Sequence, residues 1–144
     1  MEFSYFLPVN IQFGWNKVDN VAEFAAPYGK KALIVTGRTS AKNSGLYDRV
    51  VAKLDAAHIG HVLFDQVDAN PLTTTALDGA ALAKSENCDM VIAIGGGSIM
   101  DCAKGIAFMA VNEGDINDYI FNRKVSDNAL PLIVIPTTCG TGSE

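Results

Sequence analysis

Met90-Val91-Ile92-Ala93-Ile94-Gly95-Gly96-Gly97-Ser98-Ile99-Met100-Asp101-Cys102-Ala103-Lys104 is the stretch that decides the fold. It opens with an unbroken apolar run, the pattern of a strand covered on both faces. Three glycines follow. After them Ile99, Ala103, Ile106, Ala107 and Ala110 recur at helical spacing. Strand, glycine turn and helix together make half of a strand–helix–strand crossover.

The same alternation extends outward in both directions. Upstream, Ala32-Leu33-Ile34-Val35 reads as another covered strand, and Leu46, Val50, Leu54 and Ala57 line a helix that stops at Gly60. His61-Val62-Leu63-Phe64 reads as a strand, Asn70-Pro71 as a turn, and Thr73 or Thr74 starts a helix presenting Leu77, Ala80 and Ala81. Asn16 is expected to cap a helix with Val18, Val21, Ala22 and Ala25 on one face. Downstream, Asn112 to Asn128 is a polar connection with a short helix, and Leu132-Ile133-Val134-Ile135 is the last strand. Strands joined by helices imply right-handed crossovers and an open sheet. The expected class is α/β, with an open, mainly parallel sheet and flanking helices in the Rossmann-like manner. Phe3 to Leu7 and Ile11 to Phe13, flanking Pro8-Val9-Asn10, are expected to add a short N-terminal β-hairpin.

The 144 residues suit one domain over 1–144. The 11 basic residues are scattered and the net charge is -5, which argues against nucleic acid as a partner. No apolar run approaches the ~20 residues of a membrane helix, and Met1-Glu2-Phe3-Ser4-Tyr5 lacks the basic start of a signal peptide. Cys88, Cys102 and Cys139 are odd in number and far apart, as suits a reducing cytoplasm. His58 and His61 read as a surface pair, since no further ligand type clusters with them.

Ligands of open parallel sheets bind beyond the carboxyl ends of the strands. At Gly95-Gly96-Gly97-Ser98 the absent Cβ atoms let backbone approach a ligand, and the free N–H groups and dipole of the helix start favour an anion such as a pyrophosphate. The spacing is neither G-x-G-x-x-G, whose last glycine would fall at Met100, nor a Walker A loop. The last strand ends in Pro136-Thr137-Thr138-Cys139-Gly140-Thr141-Gly142-Ser143-Glu144, whose hydroxyls can bond phosphate and ribose oxygens. Thr36-Gly37-Arg38-Thr39-Ser40 has an Arg with small polar neighbours where an acidic residue would bond a ribose 2′-hydroxyl. That favours NADP, with its 2′-phosphate, over NAD. Asp101 and Lys104 form either an ion pair within one helix face or ligand contacts. Cys102 and Cys139 read as packing or loop residues, with no basic partner for a reactive thiolate.

Gly95 to Lys104 resembles the G-G-G-S-x-x-D-x-A-K segment of the iron-containing (group III) alcohol dehydrogenases, and Pro136 to Glu144 resembles the P-T-T-x-G-T-G-S-E of the same family. Pro8-Val9-Asn10-Ile11-Gln12-Phe13-Gly14, Lys31 to Ser40 and Asn70-Pro71 are also similar to its segments, so the resemblance covers the whole chain. It implies a site in which Gly95, Gly96, Gly97 and Ser98 hold the pyrophosphate and Asp101 and Lys104 lie toward the nicotinamide. Thr137, Thr138 and Thr141 contact phosphate and ribose. Gly37, Arg38, Thr39, Ser40 and Asn70 complete the cofactor set. NADP is the expected cofactor, with NAD as the alternative.

The activity implied is hydride transfer between the nicotinamide and a primary alcohol or aldehyde, with Fe2+ or another divalent metal as Lewis acid. In the family the metal ligands, an Asp and three His, sit in a helical second domain that this sequence does not include. The resemblance therefore implies a truncated piece with no catalytic or metal-binding residue of its own, from a protein that is a homo-oligomer at full length. A non-catalytic nucleotide-binding module and an inactive fragment are the alternatives.

Overall fold

The computed structural model describes residues 2–4 and 6–144. A 3-10 turn over Lys17–Asn20 leads into α1 (Val21–Ala25), followed by β1 (Lys31–Gly37), α2 (Ser40–Asn43), α3 (Leu46–Ala56) and β2 (Gly60–Val67). Then come α4 (Thr73–Ser85), β3 (Met90–Gly95), α5 (Gly97–Met109), α6 (Ile116–Ile120) and β4 (Leu132–Pro136). Among the described residues the four strands form one sheet in the order β2-β1-β3-β4, and every pairing is parallel.

The central strands are apolar without alternation because helices cover both faces of the sheet. Leu33, Val35, Val91 and Ala93 face α4 and α5, where they meet Ala76, Ala80, Ala103 and Ile106. Ala32, Ile34, Ile92 and Ile94 face the other way, against Val21, Val50 and Leu54 of α1 and α3. The strand residues named, with Val50 and Leu54, are fully buried, and Val21 is 2% exposed. Burying each large aliphatic side chain is worth roughly 1.5–3 kcal/mol relative to leaving it exposed.

Three expectations need correction. Residues 2–4 and 6–13 belong to no strand, and Tyr5 lies outside the described residues, so the N-terminal hairpin is not present among them. Phe3, Phe6, Ile11 and Phe13 are exposed there, Phe13 at 94%. Apolar segments make strands only where a partner supplies the ladder, and among the described residues this segment pairs with no strand of the sheet. Asn16 does not cap by its side chain: it takes a left-handed φ of 58° before the 3-10 turn, and its Oδ1 accepts from the Arg49 guanidinium at 2.8 Å.

On α4 the buried face is Ala76, Gly79, Ala80 and Ala83, while Ala81 points to solvent. A Cβ on Gly79 would collide with Ile106, so small residues on α4 set how closely α5 approaches. The polar connection after α5 is better anchored than its composition suggests. The buried Asn112 side chain donates to the carbonyls of Phe108 at 2.7 Å and Asn128 at 2.8 Å. Asp115 caps α6 by accepting from the Asn117 N–H at 2.8 Å.

Candidate functional site

The carboxyl ends of β1, β3 and β4 all open on the same edge of the sheet, and β3 occupies the middle. Its last residue, Gly95, is packed so tightly that a Cβ would collide with Ile99 one turn into α5. That glycine is a packing requirement: it lets the chain turn from strand into helix directly. Gly96 precedes α5 in an extended conformation and offers no side-chain cap. The N–H groups of Ile99 and Met100 both donate to the Gly96 carbonyl, at 3.0 and 3.1 Å. Among the described residues the N–H groups of Gly97 and Ser98 have no such acceptor. An uncapped helix start with open donors and a half-buried, side-chain-free approach is an anion cradle.

The loop after β4 closes over this turn. Thr137 donates its N–H to the Gly95 carbonyl at 3.0 Å, extending the β3–β4 ladder by one bond. A Cβ placed on Gly96 would lie 3.2 Å from Thr138 Oγ1, and one on Gly97 3.2 Å from both Ser143 Oγ and Thr141 Cβ. The two motifs, far apart in sequence, are thus in contact. Gly140 and Gly142 both have φ of 74°, a left-handed conformation that residues with a Cβ seldom take, and so let the loop fold back. Thr141 Oγ1 donates to Glu144 at 2.8 Å, which holds that carboxyl below the usual range.

Asp101 and Lys104 do form an ion pair, at 3.3 Å, on the exposed side of α5. Asp101 also accepts from the buried Ser143 hydroxyl at 3.1 Å, so it ties the β4 loop to α5. Sequence reasoning did not single out Ser143 for this role. Its place in a glycine-rich loop was visible, but its partner, 42 residues away, was not.

On the other flank, Asn70 takes a left-handed φ of 53°, and its N–H reaches Ser98 Oγ at 3.4 Å. This brings the turn after β2 against the glycine turn. Gly37 ends β1, and a Cβ there would find ordinary contacts, Ile99 Cδ1 at 3.4 Å and the Val67 carbonyl at 3.5 Å. Thr39 and Ser40 are exposed at the start of α2 without a side-chain cap bond. Arg38 is not a free surface cation. Its Nε and Nη2 donate to the two oxygens of Asp68 at 2.8 and 2.9 Å. That bonding holds the Asp68 carboxyl below its ordinary value and raises Arg38. Next to this pair, Lys42 bonds Asp65.

Cys102 is buried and desolvation pushes its thiol up to about 11, while Cys139 is exposed in the β4 loop. No group of three or more His, Cys, Asp or Glu among the described residues could hold a metal ion. His61 is instead paired with Asp55 at 3.1 Å. The residues described here therefore do not fit a catalytic iron, and no chemical step can be derived through one. They do fit the phosphates of a dinucleotide, through the open N–H groups of Gly97 and Ser98.

An open parallel sheet whose strand-end loops converge on a glycine turn and a helix N-terminus defines an α/β protein of the ligand-at-the-carboxyl-end class. The chain belongs to the iron-containing alcohol dehydrogenase family, whose pattern matches residues 8–144. It is 39% identical over 142 residues to a probable NADH-dependent butanol dehydrogenase 1 of Bacillus subtilis, covering 99% of this chain and 37% of the relative. To a 1,3-propanediol dehydrogenase of Citrobacter freundii it is 38% identical over 144 residues, again covering 99% and 37%. The crystal structure of an NADH-dependent butanol dehydrogenase A from Thermotoga maritima superposes with a TM-score of 0.91 at 33% identity, covering 98% of this chain and 36% of that one. The chain thus spans little more than a third of the length of the relatives it matches.

Proposed function

We propose that this chain is the dinucleotide-binding portion of a nicotinamide-dependent oxidoreductase that interconverts a primary alcohol and an aldehyde. The observation that carries the reading is the contact between the two motifs. The glycine turn and the hydroxyl-rich β4 loop meet around open helix N–H groups, and a phosphate-bearing ligand is the guest that such a cradle stabilises.

Each residue has a definite part in this reading. Gly97 and Ser98 donate backbone N–H groups to the pyrophosphate, and Gly95 and Gly96 keep its approach free of side chains. Thr137, Thr138 and Thr141 supply hydroxyls to phosphate and ribose from the β4 side. Asn70 braces Ser98. Asp101 ties the β4 loop to α5 through Ser143 and pairs with Lys104 along the helix, both on the nicotinamide side. Gly37 leaves room beside the adenosine ribose, with Thr39 and Ser40 at its rim. Arg38 is the cation that a 2′-phosphate of NADP would meet, and Asp68 competes for it. When bound, the nicotinamide supplies or accepts the hydride.

Catalysis belongs to the whole protein, which we propose to be a cytoplasmic homo-oligomer that takes its divalent metal, Fe2+ in the family's usual form, from residues outside this chain. The match to the iron-containing family supports the metal, and the free cysteines suit a reducing compartment. No helix among the described residues is long and apolar enough to cross a membrane.

The test is a fluorescence titration of NADH and NADPH into the chain and into Gly97→Val. Wild type is expected to bind at least one nucleotide. Gly97→Val, with an unchanged circular dichroism spectrum, should weaken binding about a hundredfold, or ~2.8 kcal/mol. Equal binding by both proteins would sink the reading.

A further inference from the structure

We propose that Asp68 is the cofactor-selecting residue of this chain: by holding Arg38 in a two-point pair, it favours NAD, with a free ribose 2′-hydroxyl, over NADP. The inference rests on the dinucleotide reading of the glycine turn and sharpens it at the adenosine end.

The geometry comes from sheet register. Gly37 of β1 is paired with Val67 of β2, so the residues that follow, Arg38 and Asp68, emerge side by side at the carboxyl ends of the two strands. Their pairing is a fork: Nε to one carboxylate oxygen at 2.8 Å and Nη2 to the other at 2.9 Å. Such bidentate pairs are more directional than single contacts. Both side chains are 65% exposed, so the pair stands over the open end of the sheet and not within the core. In sheets of this type an acidic residue bonds the ribose 2′-hydroxyl of NAD, or an Arg accommodates the 2′-phosphate of NADP. Arg38 follows β1, the neighbour of β3, and Asp68 follows β2, one strand further out. Here the acidic residue reaches across from the end of β2 and is bound to the Arg at the end of β1.

Charge is what separates the two cofactors at this rim. Gly37 itself puts no side chain in the way of either cofactor, and even a Cβ there would make only ordinary contacts, with Ile99 Cδ1 at 3.4 Å and the Val67 carbonyl at 3.5 Å. Yet the adjacent rim is electrically balanced, with Arg38 on Asp68 and Lys42 on Asp65. A 2′-phosphate brings nearly two negative charges. It must either draw Arg38 away from Asp68 or lie against that carboxylate, and both are unfavourable. A 2′-hydroxyl meets no such conflict, because it can donate to a carboxylate that accepts through several lone pairs. The hydrogen bond from Arg38 keeps Asp68 ionised well below neutral pH, so the carboxylate is present under ordinary conditions.

The experiment compares dissociation constants for NADH and NADPH in the wild-type chain, Asp68→Asn, Asp68→Glu and the double variant Asp68→Asn with Arg38→Ala. Thermal melts are run on each to confirm folding. Wild type is expected to bind NADH more tightly. Asp68→Asn should shift the NADPH-to-NADH affinity ratio toward NADPH by about tenfold, with NADH binding nearly unchanged. Asp68→Glu should keep the wild-type preference. The double variant should lose the NADPH gain, because Arg38 is the group released. If wild type binds dinucleotides but Asp68→Asn leaves the ratio unchanged, or if wild type prefers NADPH, the role of Asp68 is overturned and the dinucleotide reading stands. If the folded wild-type chain binds neither nucleotide, both fall together.

Discussion

The two flanks of the glycine turn are built from opposite materials. On the β4 side, the contact is between glycines, hydroxyls and backbone: Gly96 against Thr138, Gly97 against Thr141 and Ser143, and Thr137 bonded to Gly95. On the β2 side, the rim is charged and more open, with Arg38 on Asp68 and Lys42 on Asp65. An uncharged cradle can hold the part that NAD and NADP share. A balanced charged rim can tell them apart. General affinity and specificity are thereby assigned to different residues, and each can be perturbed without the other.

The largest effect is expected at the uncharged flank. Gly97→Val should weaken NADH and NADPH by similar factors, near a hundredfold, because the phosphates are common to both. A loss confined to one cofactor would break the division. The next effect is at the charged flank, where Asp68→Asn should move the ratio without an equal loss of NADH affinity. Thiol labelling is expected to show a smaller difference. At pH 8 Cys139 should react readily, while Cys102 stays silent, since its thiol is protonated below about 11. Saturating NADH should slow Cys139 labelling severalfold by covering the β4 loop. Unaltered labelling would mean that the loop is not part of the site. The smallest expected effect is that of Ser143→Ala, which removes the hydroxyl bond to Asp101. It should lower stability by about 1 kcal/mol in chemical denaturation and loosen binding only modestly.

The same contrast explains what could be read from the sequence. The covered strands were legible at Ala32 to Val35 and Met90 to Ile94, because burial on both faces writes an unbroken apolar run. The glycine turn was legible because strand, glycines and helix are contiguous. The charged rim was not. Arg38 looked like a free cation suited to a 2′-phosphate, since its partner is 30 residues away and meets it only through the parallel register of β1 and β2. The bond between Ser143 and Asp101 was hidden because the two lie 42 residues apart. On α4, Ala81 was misplaced because the helix turns its small-residue stripe, with Gly79 at the tightest point, toward Ile106. The N-terminal segment shows the limit of local reading: Phe3 to Leu7 and Ile11 to Phe13 flank a turn-like Pro8-Val9-Asn10, but apolar residues beside a turn provide no pairing partner.

The most direct measurement is an amide chemical-shift map of the 15N-labelled chain titrated with NADH. Binding at the glycine turn predicts that the largest shifts fall on Gly96, Gly97 and Ser98 and on Thr137 to Thr141, with a weaker set at Arg38 and Asp68. The amides at the other end of the sheet, Lys31, Gly60 and Met90, should stay in place. Shifts centred elsewhere, for example along α4 and α6, or none at saturating NADH, would contradict the assignment of this loop cluster to the dinucleotide.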